Sequence, residues 1–142
     1  MGRIEELKRE LLGLEKTKAL LKLKQERLAE LRDRLGHAAT SSVEQRAGGG
    51  AADYISSGVA AADELAREIA GLQRRINKIH IALDFLDEEE RKIVEQSFIR
   101  RRSGSIKTLS AELHKDRSSI FRCANRAVAR MADLLGENQD GE

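Results

Sequence analysis

The sequence predicts an all-α protein in which a long antiparallel coiled-coil hairpin precedes a small C-terminal helix-turn-helix domain. Three observations point there. The 142 residues are 35% charged and 3% aromatic and contain no proline, a composition suited to long helices around a modest core. Two stretches repeat leucine and isoleucine at heptad spacing. The last third reads as a short helix, a tight turn and a longer helix with a polar, basic beginning, the layout of a helix-turn-helix.

The first helix is expected over residues 3 to 35. Ile4 and Leu11 occupy heptad position a, and Leu7, Leu14, Leu21, Leu28 and Leu35 occupy d, while the later a positions are Lys18, Gln25 and Arg32. The seam is therefore apolar at first and mixed afterwards. A second heptad runs through Ala62, Leu65, Ile69, Leu72, Ile76, Ile79, Leu83 and Leu86 with every a and d site apolar. Each helix would be about 45 to 50 Å long at 1.5 Å per residue, and similar lengths suit a hairpin. An intramolecular hairpin buries both seams, whereas a parallel zipper of the first helix leaves the cleaner second seam without a partner. Leu12, Ala19, Leu20 and Leu23 lie off that seam, so either hairpins pair with one another or these are ordinary surface side chains of a Leu-rich helix.

Between the heptads, GHAATSSVEQRAGGGAADYISS has small residues, little periodicity and the run Gly48-Gly49-Gly50. It is expected to form a flexible loop over 36–57. Residues 1–86 would thus form the hairpin, 87–135 the C-terminal domain and 136–142 a disordered acidic tail.

The C-terminal domain begins at Asp87-Glu88-Glu89-Glu90. Asp87 suits an N-cap and Glu90 the third helical position of a capping box, with acids at the positive end of the helix dipole. Ile93, Val94 and Phe98 form its apolar face, and Arg100-Arg101-Arg102 with Ser103-Gly104-Ser105 ends it. In the next helix, capped by Ser105, Ile106, Leu109 and Leu113 point inward. After the turn His114-Lys115, Asp116 caps a helix from Arg117 to Leu135 with the inner stripe Ile120, Ala124, Ala127, Met131 and Leu134. Phe121 is expected to pack on the preceding helices, and Cys123 to fill core space.

Charge is distributed unevenly. The net value is +2, yet Arg100 to Arg130 holds nine Lys or Arg against Glu112 and Asp116. Such a segment attracts phosphate. DNA recognition needs cations for the backbone and side chains that offer donors and acceptors to base edges. On the outer face of the last helix, Arg117, Ser118, Ser119, Arg122 and Arg126 suit base reading. Arg100, Arg101, Arg102, Lys107, Lys115 and Arg130 suit phosphate contact.

Other chemistries lack a pattern. His37, His80 and His114 are scattered, and Cys123 is the single cysteine, so no metal-ligand spacing arises. No phosphate loop and no nucleophile-base pairing is visible, and neither an enzyme, a cofactor nor a small-molecule substrate is expected. The start MGRIEELKRE is too charged for a signal peptide, and Glu6 breaks the myristoylation pattern. No stretch approaches the roughly 20 apolar residues that span a bilayer. A cytoplasmic protein without membrane contact is expected.

The stretch FLDEEERKIVEQSFIRRRSGSIKTLSAELHKDRSSIFRCANRAVARMADLL resembles the region 4 helix-turn-helix of sigma-70-type factors. The matching pieces are Leu86 with the acidic cap, the short helix ending at Leu113, DRSSIFR at 116–122 and NRAVARM at 125–131. The whole chain is similar to small phage-encoded regulators of the RinA and ArpU-like type. The resemblance implies a phage or prophage transcriptional regulator binding double-stranded DNA, with Asp116 as cap and Arg117, Ser118, Ser119 and Arg122 at DNA-facing positions. It departs at the turn, where the family has glycine and an apolar residue and this chain has His114-Lys115; histidine tolerates a left-handed backbone better than most residues. Two rivals share these features. One is a phage small terminase subunit assembling as a ring, and the other is a coiled-coil adaptor docking on host RNA polymerase. A homo-oligomer formed through the coiled coil is expected.

Overall fold

A computed structural model describes residues 2–45 and 50–140, with side-chain environments described over 2–38 and 53–137. Among the described residues all regular structure is helical: α1 (Arg3–Leu12), α2 (Leu14–Gln45), α3 (Gly50–Phe85), α4 (Glu88–Val94), α5 (Ser105–Leu113) and α6 (Arg117–Asp140). No described helix is long and apolar enough to cross a membrane.

The chain forms two compact units, and the boundary does not fall at residue 86 as the heptads suggested. One unit comprises residues 18–74; the other joins 1–17 to 75–142. The expected loop at 36–57 is also shorter. Helix α2 continues to Gln45 and α3 starts at Gly50, leaving only residues 46–49 of that loop outside the described residues. Without proline, and with Ala38, Ala39, Glu44 and Gln45 as good helix formers, nothing in 37–45 stops the helix before the glycine run. Similarly, α6 carries residues 136–140 of the expected tail, while 141–142 lie outside the described residues.

In the 18–74 unit, Leu28, Ala62, Leu65 and Ile69 form a buried cluster, with Leu21, Leu31, Leu35 and Ala66 against it. The polar a sites behave as their chemistry requires: Lys18 is half-buried, and Gln25 and Arg32 are exposed. Lys24 Nζ lies 2.9 Å from Glu68 Oε2. Gly58 stands where a Cβ would run into the Leu35 side chain, so its lack of a side chain leaves room for that leucine.

The second unit takes its core from both ends of the chain. Leu7, Leu11 and Leu14 are buried, as are Ile76, Ile79, Ala82, Leu83 and Leu86 from the end of α3. Helix α1 packs on α6, and the one-residue break at Gly13 separates α1 from α2. The leucine heptad is thus interrupted, and Ile4, an expected seam residue, is exposed. Val128 and Ala132, outside the inner stripe read from the sequence, are also buried on α6 beside Ala127 and Met131, and Ala132 lines one depression with Leu7 of α1.

At α4 the capping box forms as its sequence requires. Glu90 N–H donates to Asp87 Oδ1 at 2.8 Å, and Asp87 N–H donates to Glu90 Oε1 at 3.2 Å. Arg91 reaches back to the carbonyls of Leu83 and Asp84, covering the C-terminal end of α3. Helix α4 then widens into a π-helical turn over Glu95–Ile99, closed by Arg100 N–H on Glu95 O at 2.7 Å. Ile93, Leu109, Ile120 and Ala124 form the cluster joining α4, α5 and α6, with Phe98, Ile106, Leu113 and Cys123 around it.

Replacing Ile69 with Asp should place an unpaired carboxylate in the α2–α3 cluster and cost about 3 kcal/mol. Thermal unfolding followed by circular dichroism measures this. An unchanged melting temperature would mean that Ile69 is not buried in solution.

Candidate nucleic-acid interface

The site grows from two turns. At the first, Gly104 holds φ +83°, the left-handed region where a Cβ is strained, and occupies the position before α5. Ser105, expected as the cap, is instead the first helical residue. It is buried, and its hydroxyl accepts from Arg102 N–H at 3.0 Å. The bond folds the Arg100–Arg102 segment back beside the start of α5.

At the second turn His114 adopts φ 54° and ψ 40°, the left-handed conformation that ends α5. Ser110 Oγ donates to Lys115 O and locks the turn from the other side. Asp116 then caps α6, accepting from Ser119 N–H at 2.8 Å. Hydrogen bonds from the Ser119 hydroxyl and then its amide hold the Asp116 carboxyl below its ordinary value of 3.8, with Arg122 adding to the effect.

These turns bring Arg101, Arg102, Lys107 and Arg117 around an open concavity of about 950 Å³. Ser103, Ser110 and Ala111 contribute small side chains and Gly104 none, which leaves it open, and no carboxylate lines it. Among the described residues none of these four cations has a carboxylate within ion-pair distance. Arg100 is exposed at the end of the π-helical turn.

Over residues 117–126 of α6 the exposed side chains are Arg117, Ser118, Phe121, Arg122, Asn125 and Arg126. Ser119 is half-buried, and its hydroxyl accepts from Arg122 Nη2 at 3.4 Å. Phe121, expected to pack on the preceding helices, is 43% exposed, so part of its ring faces outward. The i, i+3, i+4, i+7 spacing of Ser118, Phe121, Arg122 and Asn125 in the sequence already places these four on one side of a helix. Comparison with family models, curated proteins and solved structures finds no match.

Two expected phosphate contacts stand differently. Lys115 Nζ pairs with Glu89 Oε1, and Arg130 Nη1 with Glu90 Oε1. Arg130 also stacks over the Phe85 ring, 5.3 Å from its centroid. The hydrogen bond that Lys115 donates to Glu89 raises its ammonium above the ordinary 10.5, with Cys123, 3.9 Å away, as a further cause. The acids at the start of α4 therefore engage the cations nearest to them, which the linear sequence does not reveal because the partners lie 26 and 40 residues apart. Arg126 lines the same depression as Asp87, Glu89 and Glu90 without forming an ion pair among the described residues.

Two outcomes follow from this geometry. His114→Gly should relieve about 1 to 3 kcal/mol of left-handed strain at a cost of about 0.5 to 1 kcal/mol in chain entropy, and so raise the melting temperature. A lower melting temperature would mean that the imidazole holds the turn.

The second concerns pH. Asp87, held low first by the Glu90 amide, and Asp116 both have depressed folded-state values. Their contributions are present above the ordinary 3.8 and are lost as pH falls through the lower folded values. Asp87→Asn with Asp116→Asn should flatten the acid side of a plot of melting temperature against pH. An unchanged acid slope would show that the two caps do not couple to stability.

Proposed function

We propose that this chain is a sequence-specific transcriptional regulator of a phage or prophage that binds double-stranded DNA in the bacterial cytoplasm. Helix α5, the His114 turn and α6 act as a helix-turn-helix with the N-terminal half of α6 in the major groove. Helices α2 and α3 act as an antiparallel coiled-coil arm for self-association. The observation that carries the proposal is the convergence of Arg101, Arg102, Lys107 and Arg117 on an open surface without acidic lining, beside an exposed polar face of α6. Cations so arranged neutralise backbone phosphates, and Arg122 offers two parallel donors to guanine O6 and N7.

The resemblance to sigma-70 region 4 and to RinA and ArpU-like regulators is supported by the acidic capping box and by a left-handed residue at the turn, where that family has glycine. Phosphate contact belongs to Arg100, Arg101, Arg102 and Lys107, while Lys115 and Arg130 hold α5 and α6 to the acidic start of α4. Leu20 and Leu23, 43% and 63% exposed on α2, support association with a second copy. Host RNA polymerase is the further partner that a sigma-like regulator would address.

The test separates base contacts from phosphate contacts. A preferred duplex is selected from a random pool, and binding is titrated at several salt concentrations. Arg122→Ala should cost about 1 to 3 kcal/mol on the selected duplex and much less on random DNA. Lys107→Ala should weaken binding to both alike and lower the salt slope by about one unit. If Arg122→Ala binds the selected duplex as tightly as wild type, α6 does not read bases through that residue.

A further inference from the structure

The leading half of α6 carries one exposed aromatic, Phe121, among cations and polar side chains. The chain has four aromatic residues, and Phe98 packs against the α4–α5–α6 cluster while Phe85 lies under Arg130. Phe121 has neither arrangement among the described residues and stays 43% exposed. A lone surface phenylalanine means little by itself. Its neighbours give it meaning: Ser118 precedes it by three residues, Arg122 is next to it and Asn125 follows by four, and all three are exposed. The core stripe of Ile120, Ala124 and Ala127, each at most 2% exposed, lies beside it: Ala124 follows Phe121 by three residues, so the ring sits at the edge where the outward face meets the core. Burial of that stripe fixes the rotation of α6 and holds Phe121 at this partly exposed edge, next to the polar face.

We infer that Phe121 is a specificity-determining residue that reads the C5-methyl group of a thymine in the major groove. The inference rests on the DNA-binding reading above. The methyl is the apolar feature of the major-groove edge of an A·T pair, and an aromatic side chain is a suitable contact for it. The flanking groups match the remaining features of that groove: Arg122 fits guanine O6 and N7, and Asn125 fits adenine N6 and N7. A phenylalanine between an arginine and an asparagine gives the face one apolar contact amid hydrogen-bonding ones. The preferred site should hold a thymine within a base step or two of the guanine read by Arg122.

The test removes the methyl from the DNA, which leaves the protein's fold untouched. On the selected duplex, each thymine is replaced in turn by uracil, whose hydrogen-bonding edge is unchanged. Wild-type protein should lose about three- to fivefold in affinity at one thymine per bound recognition helix, the effect of taking one methyl out of an apolar contact. Phe121→Ala should bind the thymine and uracil duplexes alike, whereas Asn125→Ala should retain the difference. A flat uracil scan with wild-type protein, or a selected site without thymine, overturns the inference while leaving the regulator reading intact. If no duplex is enriched, the regulator reading fails and the inference falls with it. Light scattering on Phe121→Ala supplies the last arm: a changed oligomeric state would assign the ring to a contact between copies instead.

Discussion

Burial of one side of α6 is the constraint on which the rest of the C-terminal unit depends. Ile120, Ala124, Ala127, Val128 and Met131 are almost fully enclosed, by α4 and α5 toward the start of the helix and by α1 along its later part. Turning the helix to present any other side would expose several of these at once, each at a cost on the order of 1 to 3 kcal/mol. The polar side is fixed as a consequence. Asp116 sets where that helix begins, and His114 and Gly104 set how the chain enters it.

The cations of this unit fall into two groups with different chemistry. Around the start of α5 they converge without carboxylates. Around the start of α4, Glu89 and Glu90 engage Lys115 and Arg130. Exposed ion pairs of this kind add little stability; their larger effect is on the field the surface presents. Glu89 and Glu90 pair with the cations along one flank, whereas among the described residues no carboxylate forms an ion pair with Arg101, Arg102, Lys107 or Arg117.

The apolar stripe of α3 joins this unit to the other one in sequence but not in role. Ala62, Leu65 and Ile69 belong to the cluster facing α2, while Ile76, Ile79, Leu83 and Leu86 belong to the core that includes α1 and α6. One heptad pattern thus serves two cores. A heptad records only that a side of a helix is apolar, and any apolar partner satisfies it equally well.

Local chemistry was legible from the sequence alone. All-helical structure follows from the heptads and the absence of proline, and the caps at Asp87 and Asp116 follow from spacing because their hydrogen bonds close within three residues. Much of the inner stripe of α6 was equally readable, since Ile120, Ala124, Ala127 and Met131 are buried. Tertiary structure alone decided the return of α1 onto α6, the change of partner along α3, the exposure of Phe121 and the pairing of Lys115 and Arg130 with acids far away in the chain. Each of these depends on which surfaces meet across tens of residues, and hydrophobic burial and Coulomb attraction are both indifferent to sequence separation. Periodicity shows which sides of a helix are apolar or charged, whereas the partners are chosen by packing the whole chain.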